Sequence, residues 1–253
     1  MPHHQMTGFR RGAFILPSLF TMGNILLGFY AVVLGFRGEF ERAGWMIFIA
    51  GVLDGLDGRI ARLTGTESEL GKQLDSLADV LTFGATPAYL AFLWGLHDLG
   101  RIGWLLPLFY LMCTTIRLAR FNVQDKATDS PAFVGLPSPA GAAAMVALFW
   151  TLPTPSTEWA YAAMGGALVT VGLLMISTFR YPSFKRINLR RRWSYRSAAG
   201  MAVVLLVLTL RPQLFFQLLA AFFAISGPVT WLGRRLMPRR RGEEPAPASE
   251  GTT

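Results

Sequence analysis

Residues 54 to 79, DGLDGRIARLTGTESELGKQLDSLAD, set four aspartates into an apolar background of the kind that crosses membranes. Asp54 and Asp57 are three apart and Asp75 and Asp79 are four apart, so within helices each pair projects from one face. Ionised carboxylates inside a bilayer are costly and face a polar cavity or a partner. Two pairs on two helices therefore point to an intramembrane divalent-metal site rather than to soluble helix caps or surface ion pairs. The polar turn Thr64-Gly65-Thr66-Glu67-Ser68-Glu69 separates the pairs. With antiparallel helices on either side, Asp57 and Asp75 lie roughly one to two turns from it and Asp54 and Asp79 roughly one turn deeper. The pairs then match in depth. Ala61 shares the face of the first pair, and Gly58 removes bulk where a ligand can approach the backbone.

The background itself is unambiguous: 52% of the 253 residues are hydrophobic, 15% are charged, and several apolar runs are long enough to span a bilayer. The expected class is all-α, a polytopic membrane helical bundle. The single Cys113 lies in an apolar run and excludes an internal disulfide framework and a multi-cysteine metal site. A net charge of +9 suits nucleic acid in principle, but the basic residues are interleaved with spans, so no nucleic-acid partner is expected.

Three regions are expected. Residues 1–16 form a basic amino-terminal segment in which Phe9 to Leu16, with Arg10 and Arg11, suits a small interfacial helix. His3 and His4 there read as a terminal pair rather than as metal ligands. No cleavable signal peptide is expected, because the first apolar run extends into a full span and lacks a convincing cleavage site. Residues 17–232 form the membrane domain, with spans at about 17–36, 43–64, 72–96, 102–120, 139–153, 159–178, 197–210 and 213–232. The seventh is short. Residues 233–253 form a basic, largely disordered tail. Thr21 and Asn24, near the start of the first span, are placed either to reach a ligand headgroup or to bond neighbouring helices.

Eight spans put both termini on one side. Of the 24 Lys and Arg, all but Arg37, Arg42, Arg101 and Arg211 then fall on that same side, which the positive-inside rule assigns to the cytoplasm. The aspartate site opens there too. The basic 180–196 loop serves either as a topology signal or as a binder of anionic headgroups. A carboxylate-lined site at that face suits a substrate with a lipid tail and a charged headgroup. Two hard cations such as magnesium or manganese would neutralise a diphosphate there, and Arg62, five residues beyond Asp57, is placed either to contact phosphate or to mark the membrane edge. A cation transporter is the competing reading, but its acids are expected near the midplane in broken or repeated segments.

Asp54-x-x-Asp57-Gly58-x-x-Ala61-Arg62, eight residues, then Gly71-x-x-x-Asp75-x-x-x-Asp79 resembles the full signature of the CDP-alcohol phosphotransferase family at every defined position. The resemblance implies a six-helix core, here followed by about two carboxy-terminal spans. It also implies an enzyme that cleaves the phosphoanhydride of a CDP-linked lipid, transfers the phosphatidyl group to an alcohol and releases CMP. Carried over position by position, Asp54, Asp57 and Asp75 resemble ligands of a two-metal centre holding Mg2+ or Mn2+, and Asp79 completes it and acts as the base. Gly58 and Ala61 match the small residues that admit the cytidine nucleotide, Arg62 the diphosphate contact and Gly71 a residue near the nucleotide; Asn24 and Thr21 are the first span's candidates for the same ligand.

The signature reads only the shared donor. Beyond it, Arg117-Leu-Ala-Arg-Phe-Asn122, Phe133-Val-Gly-Leu-Pro-Ser-Pro139 and Arg180-Tyr-Pro-Ser-Phe-Lys185 resemble stretches of the family's phosphatidylserine synthase branch in bacteria and archaea. That implies CDP-diacylglycerol as donor, L-serine as acceptor, and a homodimer in the cytoplasmic membrane. Arg117 and Arg120, at the cytoplasmic end of the fourth span, are candidates for the serine carboxylate or are helix-end topology charges. The alternative acceptors, glycerol 3-phosphate or inositol phosphate, would favour a larger basic pocket, for which Arg117, Arg120 and Lys126 are the candidates.

Overall fold

The architecture comes from a computed structural model that describes residues 8–65, 68–125, 132–152, 155, 157–182, 210–211, 214, 217–218 and 222; of these, the side chains of 8–18, 61–64, 124–125, 132–134 and 180–182 lie outside the description. Among the described residues six long helices carry the fold: α1 Gly8–Phe36, α2 Phe40–Thr64, α3 Glu69–Trp94, α4 Arg101–Asp125, α5 Ser138–Thr151 and α6 Glu158–Ile176. Four of them, within Leu19–Phe36, Glu69–Trp94, Arg101–Val123 and Glu158–Ile176, are long and apolar enough to cross a membrane, and the protein is an integral membrane protein. The charges of α2 and the shortness of α5 keep those two below that standard, although both pack into the same bundle. The expected seventh and eighth spans and the tail fall almost entirely outside the described residues.

Local chemistry explains the boundaries. α1 ends where Gly38, at φ +75°, turns the chain and lets the Gly38 and Glu39 amides cap the carbonyls of Gly35 and Leu34. At its other end α1 continues through Pro17, so Phe9 to Leu16 is the first part of α1 and not a separate interfacial helix. The four residues before Pro17, Ala13-Phe-Ile-Leu16, include no capping residue or glycine to stop it, and the helix runs on past the one backbone bond that the proline removes. α3 starts at Ser68, whose hydroxyl accepts the Gly71 amide at 3.0 Å.

α3 is the central element, packed against α1, α4 and α5. Directly after Asp79 it widens into a π-helical turn, Val80–Ala85, before resuming as an α-helix at Thr86. A wide turn frees a backbone carbonyl, and such turns recur at functional sites. Here Tyr110 of α4, fully buried, donates its hydroxyl to the Phe83 carbonyl at 2.9 Å. On the opposite side Thr82 and Thr86 donate to the carbonyls of Asn24 and Gly28 in α1, each at 3.2 Å. The widened segment is thus clamped from both flanks. Around it Leu90, Trp94, Met145, Phe149, Met164 and Leu168 form a dry core, and the Trp94 indole donates to the Leu152 carbonyl at 2.6 Å.

One feature lies outside the helical class. β1 (Ala132–Val134) pairs antiparallel with β2 (Arg180–Pro182), Phe133 opposite Tyr181. The segment from Phe133 to Pro139, expected as a shaped turn, is therefore a short strand that leads through Gly135 and Pro137 into α5.

Candidate active site

Asp54 projects from α2 and Asp75 and Asp79 from successive turns of α3. Their carboxylates converge so closely that one oxygen from each lies within 4.8 Å of the other two. Three carboxylates at that separation repel one another unless a cation or shared protons stand between them. The fit to a hard divalent cation is supported by a second observation: Asp79 Oδ1 is buried with no hydrogen-bond partner among the described residues. An all-oxygen donor set with one oxygen held free suits a hard divalent cation rather than a softer metal.

Asp57 borders this trio, near enough to act electrostatically on Asp54 and Asp75. It is buried, and its Oδ2 accepts the Thr21 hydroxyl of α1 at 2.5 Å. That bond joins α1 to α2 through the Thr21 hydroxyl. Asn24, one turn further along α1, is 1% exposed, and neither amide atom has a hydrogen-bond partner among the described residues. A buried, unpaired carboxamide is costly, which makes this amide a candidate for a ligand contact. Gly58 is exposed, and a side chain there would meet nothing within 4 Å, leaving the open approach to α2 that the sequence suggested. Gly71 donates its amide to Ser68 Oγ at the start of α3. Ala61 and Arg62 lie on the last turn of α2 with side chains outside the described set.

The two candidate arginines separate. Arg117 is 8% exposed, and the electrostatic influence of Asp54 and Asp79 reaches it. It forms no ion pair with a described carboxylate. Instead it donates to Ser138 Oγ at 2.5 Å, and its guanidinium lies 5.9 Å from the centre of the Phe121 ring. Arg120 is half-buried and donates to the Ile176 carbonyl at 3.3 Å, closing the end of α6. Lys126 lies outside the described residues.

Sequence reasoning gave no role to Ser138 or Asn122, although both sit in stretches it singled out. Asn122 donates to Ser76 Oγ at 2.9 Å, and Ser76 donates to the Lys72 carbonyl, tying the end of α4 to the turn of α3 between Asp75 and Asp79. Neither contact has a local sequence signal, since the partners are 46 positions apart for Asn122 and 21 for Ser138.

Residues 14–175 match the family model of the CDP-alcohol phosphatidyltransferases. The chain is similar to the CDP-diacylglycerol–serine O-phosphatidyltransferase of Helicobacter pylori, at 34% identity over 225 residues that cover 87% of this chain and 92% of that one. It is similar to the enzyme of the same name from Bacillus subtilis, at 34% identity over 173 residues, 68% of this chain and 92% of that one. A third relative with that name, from Methanocaldococcus jannaschii, is 35% identical over 164 residues, 65% of this chain and 72% of that one.

Proposed function

This chain belongs to the CDP-alcohol phosphatidyltransferase family, and from that premise we propose that it transfers the phosphatidyl group of CDP-diacylglycerol to the hydroxyl of L-serine, giving phosphatidylserine and CMP. The observation that carries the choice of acceptor is Arg117: a buried guanidinium beside the carboxylate trio, spent on no described acid. A buried guanidinium with no direct ion pair keeps N–H groups for a ligand, and an incoming carboxylate takes them in bidentate geometry. The names borne by the relatives point the same way.

Asp54, Asp75 and Asp79, with Asp57 held against Thr21, would hold two divalent cations, magnesium or manganese. When bound, these neutralise the donor diphosphate and polarise the phosphorus under attack. The chain's own residues do the remainder. Gly58 and Ala61 leave space for the cytidine nucleotide, with Gly71 beside it, while Arg62 and the unpaired Asn24 amide contact the diphosphate. Arg117 places the serine with its hydroxyl toward Asp79. Asp79 takes the hydroxyl proton as the serine oxygen bonds to the lipid-side phosphorus, and the bond from that phosphorus to the bridging oxygen breaks to release CMP.

The site opens to the cytoplasm in the cytoplasmic membrane, a reading supported by the distribution of Lys and Arg. The working unit is taken to be a homodimer, on the family resemblance. The deciding experiment supplies purified protein with CDP-diacylglycerol and, in turn, L-serine, glycerol 3-phosphate and inositol phosphate, and follows CMP release. Serine-dependent release is expected; release only with a phosphorylated acceptor would overturn the assignment.

A further inference from the structure

We propose that Ser138 is the positioning residue of acceptor recognition: its hydroxyl turns the Arg117 guanidinium so that the remaining N–H groups face the carboxylate of the amino-acid acceptor. This rests on the reading of Arg117 as the carboxylate contact. A guanidinium is a planar fork with five N–H donors, useful in bidentate recognition only if its plane is fixed. Two contacts fix it here. Ser138 Oγ accepts one N–H at 2.5 Å, and the Phe121 ring, one helical turn along α4, lies 5.9 Å from the guanidinium carbon. Arg117 has no other hydrogen-bond partner among the described residues, which leaves the rest of the fork for a ligand.

Ser138 is itself closely packed. It is fully buried and is the first residue of α5, and the chain before it is pinned to the end of α6. The Gly135 amide donates to the Phe179 carbonyl at 2.8 Å and the Leu136 amide to the Leu174 carbonyl at 3.0 Å. Gly135 sits at φ +85°, and a Cβ there would collide with the Met175 carbonyl oxygen, so only glycine lets the strand lie this close. The β1–β2 pairing holds the same segment from the other side. Acceptor recognition is thus built from α4, α5 and the ribbon, while the aspartates stand on α2 and α3. A change at Ser138 is expected to be felt through the acceptor and not through the donor.

The test measures initial rates of CMP release by purified protein over ranges of L-serine and CDP-diacylglycerol. Ser138→Ala removes a hydrogen bond to a charged group, and KM for serine is expected to rise about tenfold to hundredfold. Its kcat and its KM for CDP-diacylglycerol stay within about threefold of the parent, as the loss of a ground-state contact requires. Ser138→Thr keeps the hydroxyl and restores the serine KM; Ser138→Val, close in shape to threonine, does not. This pair reads the hydroxyl even where the alanine variant folds badly. In an Arg117→Ala background, Ser138→Ala adds nothing further to the serine KM. An unchanged serine KM in Ser138→Ala and Ser138→Val, with Arg117→Ala raising it, overturns this proposal and leaves the Arg117 reading standing. An unchanged serine KM in Arg117→Ala overturns the Arg117 reading itself. Equal losses for both substrates and in kcat, not rescued by threonine, would reduce Ser138 to a packing residue.

Discussion

Thr21 of α1 and Asp57 of α2 are joined by a buried hydrogen bond of 2.5 Å, the hydroxyl donating to Oδ2. The bond fixes the carboxylate one turn from Asp54 and fastens the first helix to the one that carries the acids. Thr21→Val keeps the shape and removes the donor, leaving a buried carboxylate oxygen without its partner. We expect transfer activity to fall roughly tenfold and the magnesium or manganese concentration for half-maximal rate to rise, with Thr21→Ser close to the parent. Metal-titrated rates on the purified variants check this; an unaltered metal requirement in Thr21→Val would separate Asp57 from the metal site.

The trio of Asp54, Asp75 and Asp79 predicts a response to metal that does not depend on turnover. Chelation with EDTA should abolish CMP release, and magnesium or manganese should restore it. A cation bound only by the folded protein also stabilises it by mass action, so the metal should raise the melting temperature of the parent and do so far less in Asp54→Asn or Asp75→Asn. Thermal unfolding in detergent, with and without metal, reads this directly.

Asp79→Asn should lower the rate of CMP release by about a thousandfold or more while largely sparing donor binding, since the variant loses the proposed proton acceptor but keeps a polar group of the same size. Binding of CDP-diacylglycerol to the purified variant, set beside its turnover, gives the comparison. Near-parent transfer would show that the base is another group.

The clamp on the widened turn of α3 can be loosened at Tyr110. Tyr110→Phe keeps the ring in the core and strips the Phe83 carbonyl of its donor. A buried carbonyl left unpaired costs about 1–3 kcal/mol, so the melting temperature should drop by several degrees. Because the same turn follows Asp79 directly, some loss of kcat should accompany the drop.

At Gly28 α1 lies close against the same turn. A Cβ there would lie 2.8 Å from Thr82 Oγ1 and 3.3 Å from Thr82 Cα, one of them backbone that cannot swing away. Gly28→Val should force α1 from α3, break the Thr82 and Thr86 bonds and destabilise the protein by more than about 2 kcal/mol. Gly166→Ala, where a Cβ meets nothing within 4 Å, is the control and should be close to neutral in the same unfolding assay.

How much of this could be read beforehand depended on how local each signal was. The helices were legible because apolar runs interrupted by polar turns leave the chain few alternatives: the expected 139–153 and 159–178 appear as Ser138–Thr151 and Glu158–Ile176. Asp75 and Asp79 share a face through their spacing alone. The divergence of Arg117 and Arg120 was not legible, since two arginines three residues apart at a helix end look alike in sequence. Their separation comes from what packs beside them, Ser138 in one case and the Ile176 carbonyl in the other. The β1–β2 ribbon was hidden for the same reason, its strands being nearly fifty positions apart.

The amino-acid order alone determined that the chain is a membrane bundle and that two neighbouring helices carry matched acid pairs, because hydropathy and residue spacing act within a few turns of a helix. It also carried the family signature. Only the tertiary structure decided that Asp54, Asp75 and Asp79 meet while Asp57 is tied to Thr21, that Asn24 is buried without a partner, and that Arg117 is held by Ser138. Those outcomes hang on how α1, α4 and α5 close around the widened turn of α3, and contacts across such distances in the chain are settled by packing and by the need to pair buried polar groups, not by any local pattern.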